Sequence, residues 1–268
     1  PASMDPGNFR PSVKNPSGTG ELEDVDNRAR TYSCDLSVTS ASGTHYLLTL
    51  GRSVRLLEAE SGRTGAKGIC LDIEQRLTNR DPKAAACGLG LWSIVQLPNI
   101  YPDSIILAAT SSTSGGYSRY FGEVPEGWVE RAGSNLIVRP QQGVKFKIGL
   151  PAGDCGEYLC SIRRSEEPDR WIVVLKRFGV QPELCYVDKP EGIVEGSNGD
   201  AVQIYNAPDR GPEGFSEIEC HSPSRRLEPG ASLSFRVEIS VWKVSGDELR
   251  KLLLNSVSSE LDSLPLSG

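Results

Sequence analysis

The sequence predicts an all-β protein, built from antiparallel strands and closed by one short C-terminal helix. Three observations support this prediction. Apolar and polar residues alternate strictly over long segments, turn signals separate these segments at short intervals, and no strand–helix–strand rhythm is present. A period of two is typical of half-buried antiparallel strands. The missing rhythm argues against a parallel, doubly wound sheet.

The alternation is clearest in residues 232–241. Five apolar residues there share one predicted face: Leu233, Phe235, Val237, Ile239 and Val241. Residues 68–77 and 144–150 repeat the pattern, and glycine, proline and aspartate mark the turns between such segments. In all we count about fifteen candidate strands.

One helix is predicted, near the C-terminus. Ser245 and Glu248 have the spacing of a capping box, and three leucines follow at helical spacing, Leu249, Leu252 and Leu253. We expect this helix to lie across an edge or mouth of the sandwich.

The chain divides into three predicted parts. Residues 1–28 are rich in Pro, Gly, Ser, Asn and Asp and are expected to be loop-like. Residues 29–256 show no internal repeat and no linker, which predicts a single β-sandwich domain. Residues 257–268 form a C-terminal tail.

Charge and hydropathy exclude two classes of partner. The 268 residues carry a net charge of −6, without the basic stripe of a nucleic-acid-binding protein. The densest basic cluster, Arg163-Arg164 with Lys176-Arg177, is interrupted by acidic residues and is interpreted as a solvated face. No apolar run reaches the ~20 residues that span a bilayer. We therefore expect a soluble protein that binds neither nucleic acid nor membrane.

The seven cysteines do not have zinc-binding spacing, and most lie among apolar strand residues. Cys155 and Cys160 are placed where they could face each other across a tight hairpin. The odd cysteine count favours a reducing compartment, and hence a cytoplasmic location. Nucleotide-binding motifs are missing, and only two histidines are present. We therefore expect neither a cofactor nor a metal.

Carboxylates are the main candidates for chemistry. Glu217 and Glu219 alternate with Ile218 and Cys220 on one predicted strand, about 7 Å apart. They either line a cleft or face water. A carboxylate in a cleft can have its pKa raised towards neutrality and serve as a general base.

Four further residues are candidates for substrate binding. Trp92 could stack on a sugar ring, although a strand tryptophan is more often part of the core. Lys147 and Arg55 project opposite apolar neighbours and could bind hydroxyl or carboxylate groups, or face solvent. His221 follows Glu219 on the same strand.

Six short motifs, taken in order, resemble uncharacterised bacterial relatives of the galactose mutarotase (aldose 1-epimerase) superfamily, over about residues 4–254. The motifs are Leu77-Thr-Asn79, Gly88-Leu-Gly-Leu-Trp-Ser-Ile94, Tyr120-Phe-Gly-Glu-Val-Pro125, Phe146-Lys-Ile-Gly-Leu150, Phe215-Ser-Glu-Ile-Glu219 with Ser222-Pro223, and Leu227-Glu-Pro-Gly-Ala-Ser232.

This resemblance implies an antiparallel β-supersandwich with a sugar cleft on the concave face of one sheet. In aldose epimerases a glutamate shortly before the late L-x-P-G turn takes the anomeric proton, and Glu219 matches that position. Those enzymes use a histidine after the T-N element as the acid, but residues 80–92 contain none here. Trp92, Lys147 and Tyr120 are the nearby replacements that the resemblance leaves.

Three functions are compatible with the sequence. The first is a sugar epimerase, or a related isomerase or lyase, with Glu219 as base and Lys147 or Tyr120 as its electrostatic or acid partner. The second is a non-catalytic carbohydrate-binding sandwich. The third is a structural or interaction subunit, because the resembling proteins carry more β-structure before the segment that matches residues 30–57. A sheet edge exposed there would pair with a second copy or with a partner chain.

Overall fold

The computed structural model describes residues 21–26, 28–39, 43, 45–60, 66–83, 88–98, 103–111, 116–190, 198–209 and 211–256. Fifteen strands, numbered in chain order, lie in these residues and form two sheets. From edge to edge, the ten-stranded sheet consists of β1 (Glu21–Asp26), β2 (Ala29–Thr39), β3 (His45–Glu60), β4 (Lys67–Asn79), β15 (Ser232–Ser245), β12 (Arg170–Phe178), β11 (Cys155–Arg164), β6 (Ile105–Thr110), β9 (Asn135–Val138) and β8 (Val129–Ala132). The five-stranded sheet consists of β5 (Trp92–Pro98), β14 (Phe215–His221), β13 (Asp200–Asn206), β10 (Phe146–Pro151) and β7 (Ser118–Phe121).

The two sheets pack face to face, and all their strand pairs are antiparallel. The alternating residues of β15 and β10 meet in one core between the sheets, as Phe235 and Val237 from one side and Phe146 and Ile148 from the other show. The predicted all-β class with two antiparallel sheets is therefore confirmed, and the alternation identified the inward faces correctly.

The single α-helix of the described residues, α1 (Gly246–Ser256), begins as the sequence predicts; two 3-10 turns, Ala152–Asp154 and Gly211–Glu213, are also present. The Ser245 amide donates to Glu248 Oε2 (2.7 Å), and the Glu248 amide donates to Ser245 Oγ (3.3 Å). Its three leucines pack on Trp171 and Trp242 in a second apolar cluster. That cluster lies on the outer face of the ten-stranded sheet, so the expected position across an edge or mouth is wrong. The apolar residues of β12 and β15 that point away from the first core provide the surface that the helix covers.

Two local predictions need correction. Residues 21–26 form β1, paired with β2, and are not loop-like; residues 1–20 and 257–268 lie outside the described residues. Cys155 and Cys160 lie on the same strand, β11, and belong to clusters on opposite faces of the sheet. They therefore cannot meet across a hairpin. No helix in the described ranges is long and apolar enough to cross a bilayer.

Candidate functional site

Strand pairing assembles a polar group of side chains on the outer face of the five-stranded sheet. Ile218 and Cys220 of β14 point into the core between the sheets, so Glu219 points outward. Gln203 of β13 lies opposite Glu219, and Gly149 of β10 lies opposite Gln203. These three residues form one row across the sheet, because residues paired across antiparallel strands share a face.

Glu219 is the centre of this group. Its side chain has no exposed surface, although it lies on the outer face of the sheet. The indole Nε1 of Trp92 and the Nζ of Lys147 each donate to its Oε2 atom, both at 3.0 Å. Its other oxygen, Oε1, is buried and has no hydrogen-bond partner among the residues that the structure describes. Trp92 and Lys147 retain exposures of 44% and 14%, so they lie between the carboxylate and the solvent.

Burial raises the pKa of the Glu219 carboxyl, because it disfavours the charged form. The charge and hydrogen bond of Lys147 act in the opposite direction, as does the bond from Trp92, but burial has the larger effect. Glu219 therefore holds its proton to a higher pH than an ordinary glutamate, as a base that works near neutral pH requires.

His221 supports Trp92. The two rings stack with centroids 5.8 Å apart and planes inclined by 9°. Strand pairing sets this contact, because Trp92 of β5 lies opposite His221 of β14. At the next pair of residues, the amide of Leu91 donates to Ser222 Oγ (2.8 Å). Burial, followed by the charges of Lys147 and Lys176, lowers the pKa of His221 to about 3. His221 is therefore a neutral stacking partner and does not serve as a charged acid at neutral pH.

A second polar group lies beside the first. The amide Nε2 of Gln203 donates both its hydrogens, to the Tyr120 hydroxyl (2.7 Å) and to Asp188 Oδ2 (2.7 Å). The Gln203 Oε1 atom is buried, and no described residue donates a hydrogen bond to it. Burial and the nearby carboxylates of Asp200 and Asp188 raise the pKa of the Tyr120 hydroxyl far above its ordinary value.

Asp200 completes this second group. Ser118 Oγ donates to its Oδ1 atom (3.1 Å), while Oδ2 is buried and, among the described residues, meets only the Tyr120 hydroxyl, outside ordinary hydrogen-bond geometry. The residue is 1% exposed, and burial raises the pKa of its carboxyl to about 6. A Cβ atom at position 149 would overlap this carboxylate and lie 2.8 Å from Tyr120 Cε2. Gly149 therefore makes the close approach of Asp200 and Tyr120 possible.

Lys176 reaches the site from the opposite sheet. It lies on β12 with no exposed surface, and its Nζ donates to the backbone oxygens of Ser93 (2.6 Å) and Ile218 (3.1 Å). Burial lowers its pKa, and the charge of Glu219 opposes this effect. The interpretation of Lys176 as part of a solvated basic face is wrong; its neighbour Arg177 is exposed as expected.

Most of the predicted site residues come together. Glu219, Lys147, Trp92 and His221 are joined by the contacts above, and Lys147 Nζ also lies 5.6 Å from the centroid of the Tyr120 ring. These contacts establish proximity; the roles assigned to the residues stay predictions.

Two predicted binding residues lie elsewhere. Glu217 is on the same face as Glu219 but one row further along, where it is half-buried and accepts a hydrogen bond from Gln96 (2.8 Å). Arg55 is exposed on β3 and lies opposite Asp72 of β4, on the outer face of the ten-stranded sheet. The sandwich separates Arg55 from Glu219, so the structure does not bring it to this site.

Sequence reasoning missed Asp200, Asp188, Gln203, Gly149 and Lys176. Gln203 had a signal, because it interrupts the apolar series of residues 201–204. Lys176 had another, because it shares an inward face with Val174 and Phe178. Within the described residues, no group of three or more His, Cys, Asp or Glu side chains could hold a metal ion.

Comparison with known proteins gives one family and several distant structural likenesses. A family described as being of unknown function, DUF6786, matches residues 21–264. No curated protein matches the chain. A galactose mutarotase-like protein from Lactobacillus casei ATCC 334 is 13% identical, with a TM-score of 0.47 over 83% of this chain and 72% of that one. A galactose mutarotase related enzyme from Lactobacillus acidophilus is 9% identical, with a TM-score of 0.44 over 84% and 71%. Likenesses at this level assign no residue and no activity to this chain.

Proposed function

We propose that this chain, which belongs to the family of unknown function DUF6786, is a carbohydrate-active enzyme. It would be a sugar epimerase, or a related isomerase or lyase, in which Glu219 accepts the proton of the substrate. The sugar would bind on the outer face of the five-stranded sheet. The motifs that resemble the galactose mutarotase superfamily supply the substrate class, and the geometry of Glu219 supplies the chemistry.

One observation carries this proposal: Glu219 is buried with one oxygen held and the other unpartnered. Leaving a buried carboxylate oxygen without a donor costs free energy, so a fold keeps such an atom where a ligand or water completes it. Oε2 is fixed by Trp92 and Lys147, and Oε1 has no donor. Oε1 is thus the atom that would take a proton from the substrate.

In an epimerase reaction the groups would act as follows. Glu219 Oε1 removes the proton of the anomeric hydroxyl, whose oxygen forms a carbonyl with C1 as the ring C–O bond breaks, and the ring oxygen takes its proton from the Lys147 ammonium group. The raised pKa of Tyr120 makes its hydroxyl a hydrogen-bond donor and a poor proton donor. Of the two predicted partners, Tyr120 and Lys147, only Lys147 carries a positive charge. It is therefore better placed to stabilise the negative charge that develops on the ring oxygen.

Access to Oε1 requires a movement. Because Lys147 and Trp92 separate Glu219 from solvent, one of them must rotate for a sugar to reach the carboxylate. Lys147 has the longer and more flexible side chain. We expect it to move from Glu219 to a substrate oxygen, which would also release the base from its counter-ion.

A second candidate is a non-catalytic sugar-binding protein. It is favoured by the Lys147–Glu219 salt bridge, which occupies the base, and by His221, which is neutral and stacked on Trp92. In this case Trp92 would supply an aromatic surface for the sugar, and the carboxylate would accept hydrogen bonds without taking a proton.

A ligand screen followed by one substitution separates the candidates. Wild-type protein is screened by thermal shift against mono- and disaccharides, and each hit is followed by polarimetry and NMR. Glu219→Gln keeps the shape of the side chain but cannot act as a base, so turnover should be lost while the sugar still raises the melting temperature. Glu157→Gln on the exposed part of β11 is the matched control.

The outcomes are distinct. Full activity in the Glu219→Gln protein would remove Glu219 as the base. Sugar binding with no interconversion by wild-type protein would establish the second candidate. A wild-type protein that binds no sugar would overturn both.

The predicted partner chain at the N-terminal edge remains a further prediction. β1 is the edge strand of the ten-stranded sheet, and Leu47, Leu56 and Leu57 on β3 are exposed. Light scattering tests whether the partner is a second copy: a second copy would give a dimer whose population falls on dilution, whereas a monomer at every concentration would exclude a second copy and leave a different partner chain as the prediction.

A further inference from the structure

Asp200 and Gln203 present two acceptor atoms whose hydrogen-bonding capacity the described residues leave unfilled. Asp200 is 1% exposed and Gln203 is fully buried. Gln203 Oε1 has no donor among these residues, and Asp200 Oδ2 meets only the Tyr120 hydroxyl, outside ordinary hydrogen-bond geometry. The two side chains share Tyr120 as a neighbour, because Gln203 donates to its hydroxyl and Asp200 Oδ2 approaches its ring across Gly149. They therefore belong to one place on the sheet.

The orientation of Gln203 is fixed by its partners. Asp188, when ionised, can only accept hydrogen bonds, so the nitrogen of the Gln203 amide must face it. The amide oxygen then points elsewhere, to a position where the described residues offer no donor. Asp200 resembles this arrangement, because Ser118 donates to Oδ1 while Oδ2 meets only the Tyr120 hydroxyl, outside ordinary hydrogen-bond geometry.

The charge of this group is also uncompensated. Neither Asp200 nor Asp188 forms a salt bridge with a lysine or arginine within the described part of the chain; Lys147 pairs with Glu219. The raised pKa of Asp200 agrees with this, because burial dominates it and the Asp188 charge adds to it. Such a group attracts hydrogen-bond donors and repels anions.

The group lies one sugar ring away from Glu219. Gly149, beneath Asp200, is two strands from Glu219 along one row, which corresponds to about 10 Å between backbones. A sugar whose anomeric end meets Glu219 would place the substituents of its far end over Asp200 and Gln203.

We propose that Asp200 and Gln203 form a separate subsite, an inference that rests on the proposed sugar site. The subsite binds a hydrogen-bond donor group of the sugar, either an ammonium or a hydroxyl group. It rejects a carboxylate or a phosphate group. An ammonium group carries three donors and a positive charge, and a hydroxyl carries one donor. The subsite therefore orders ligands by the charge at their far end: amino sugar first, neutral sugar next, anionic sugar last.

The first test needs no ligand. Asp200→Asn removes the uncompensated charge and keeps the shape, so the melting temperature of the ligand-free protein should stay equal or rise. Asp209→Asn, an exposed residue shortly after β13, is the matched control and should leave it unchanged. A lower melting temperature in the Asp200→Asn protein alone would show that the carboxylate has a structural partner, and would overturn the subsite.

The second test uses calorimetry with glucose, 6-amino-6-deoxyglucose, glucuronate and glucose 6-phosphate, which differ only at C6, and with the same galactose series. Wild-type protein should bind the amino or neutral member and bind the anionic members at least tenfold more weakly. Asp200→Asn should weaken the amino and neutral members about 10–100-fold, and Asp209→Asn should not. Anionic members that bind as tightly as neutral ones, or unchanged affinity in the Asp200→Asn protein, would overturn the subsite and leave Glu219 as base untouched. A protein that binds none of these sugars would overturn the proposed function itself.

Discussion

Replacing Lys147 by methionine tests the contact on which the site depends. The substitution keeps the length of the side chain but removes the cation that binds Glu219 Oε2 at 3.0 Å. Glu219 has no exposed surface, so its charge cannot be solvated by water instead. Removing one partner of a buried ion pair costs about 3–5 kcal/mol. The hydrogen bond from Trp92 remains, so we expect the lower end, about 3 kcal/mol.

The loss should depend on pH in a defined direction. Without Lys147 the pKa of Glu219, already raised by burial, rises further. The native state then binds more protons than the unfolded state above the ordinary glutamate pKa, so stability falls as pH rises. The loss in free energy of unfolding of the Lys147→Met protein, relative to wild type, should therefore be larger at pH 8 than at pH 5, where Glu219 can protonate.

Thermal and urea unfolding at pH 5 and pH 8, followed by circular dichroism, measures this effect. At pH 8 the melting temperature should fall by about 6–12 °C. Lys145→Met, an exposed residue on the other side of Phe146, is the control and should cost less than about 1 kcal/mol. Adding Glu219→Gln to Lys147→Met should restore most of the stability, because the uncompensated charge is gone.

Two results would refute this reasoning. A deficit below about 1 kcal/mol at pH 8 would mean that the carboxylate is not held as a buried ion. A deficit that is equal at pH 5 and pH 8 would mean that lost packing, and not charge, is responsible. Either result would also remove the support that burial gives to Glu219 as a base.

Three further predictions concern the surroundings of the site. His221 should stay neutral between pH 8 and pH 5, since burial lowers its pKa to about 3; imidazole nitrogen shifts that titrate near pH 6.5 would contradict this. Gly149→Ala should push Asp200 and Tyr120 apart, because its Cβ would overlap the carboxylate, and should cost about 1–3 kcal/mol in urea unfolding; an unchanged stability would show that the close approach is not required. Ser245→Ala should cost about 1 kcal/mol through the lost cap of α1 and leave sugar binding unchanged, since α1 packs on the opposite sheet.

The fold could be predicted from the sequence because its signals are local. Alternation along β15 requires one buried face, and the Ser245–Glu248 cap closes within one helical turn. The position of α1 could not be predicted in this way. It depends on Trp171 and Trp242, which alternation places on a strand face but not under a particular helix.

The site could be predicted only where one residue carries its own signal. Glu219 stood out because it lies in an apolar strand near a recognisable turn. Asp200 did not, because its role depends on a close approach at Gly149, and this contact between two strands leaves no pattern in either segment. Arg55 was misplaced for a related reason: strand alternation shows that a side chain points outward, but not from which of the two sheets.

Within the described residues, the outer face of the five-stranded sheet has two halves that differ in whether a cation compensates the buried carboxylate. Around Glu219 the charge is compensated, by Lys147 on the outer side and by Lys176, which reaches the backbone of Ile218 from the inner side. Around Asp200 the negative charge is not compensated by a lysine or arginine, although such a residue would have lowered the free-energy cost of burying the carboxylate. Folding alone gives no reason to keep such a carboxylate ionisable, because an amide of the same shape would cost less. Under the proposed function, a group that arrives with the ligand would explain the uncompensated half, and a base held until the ligand displaces Lys147 would explain the compensated half.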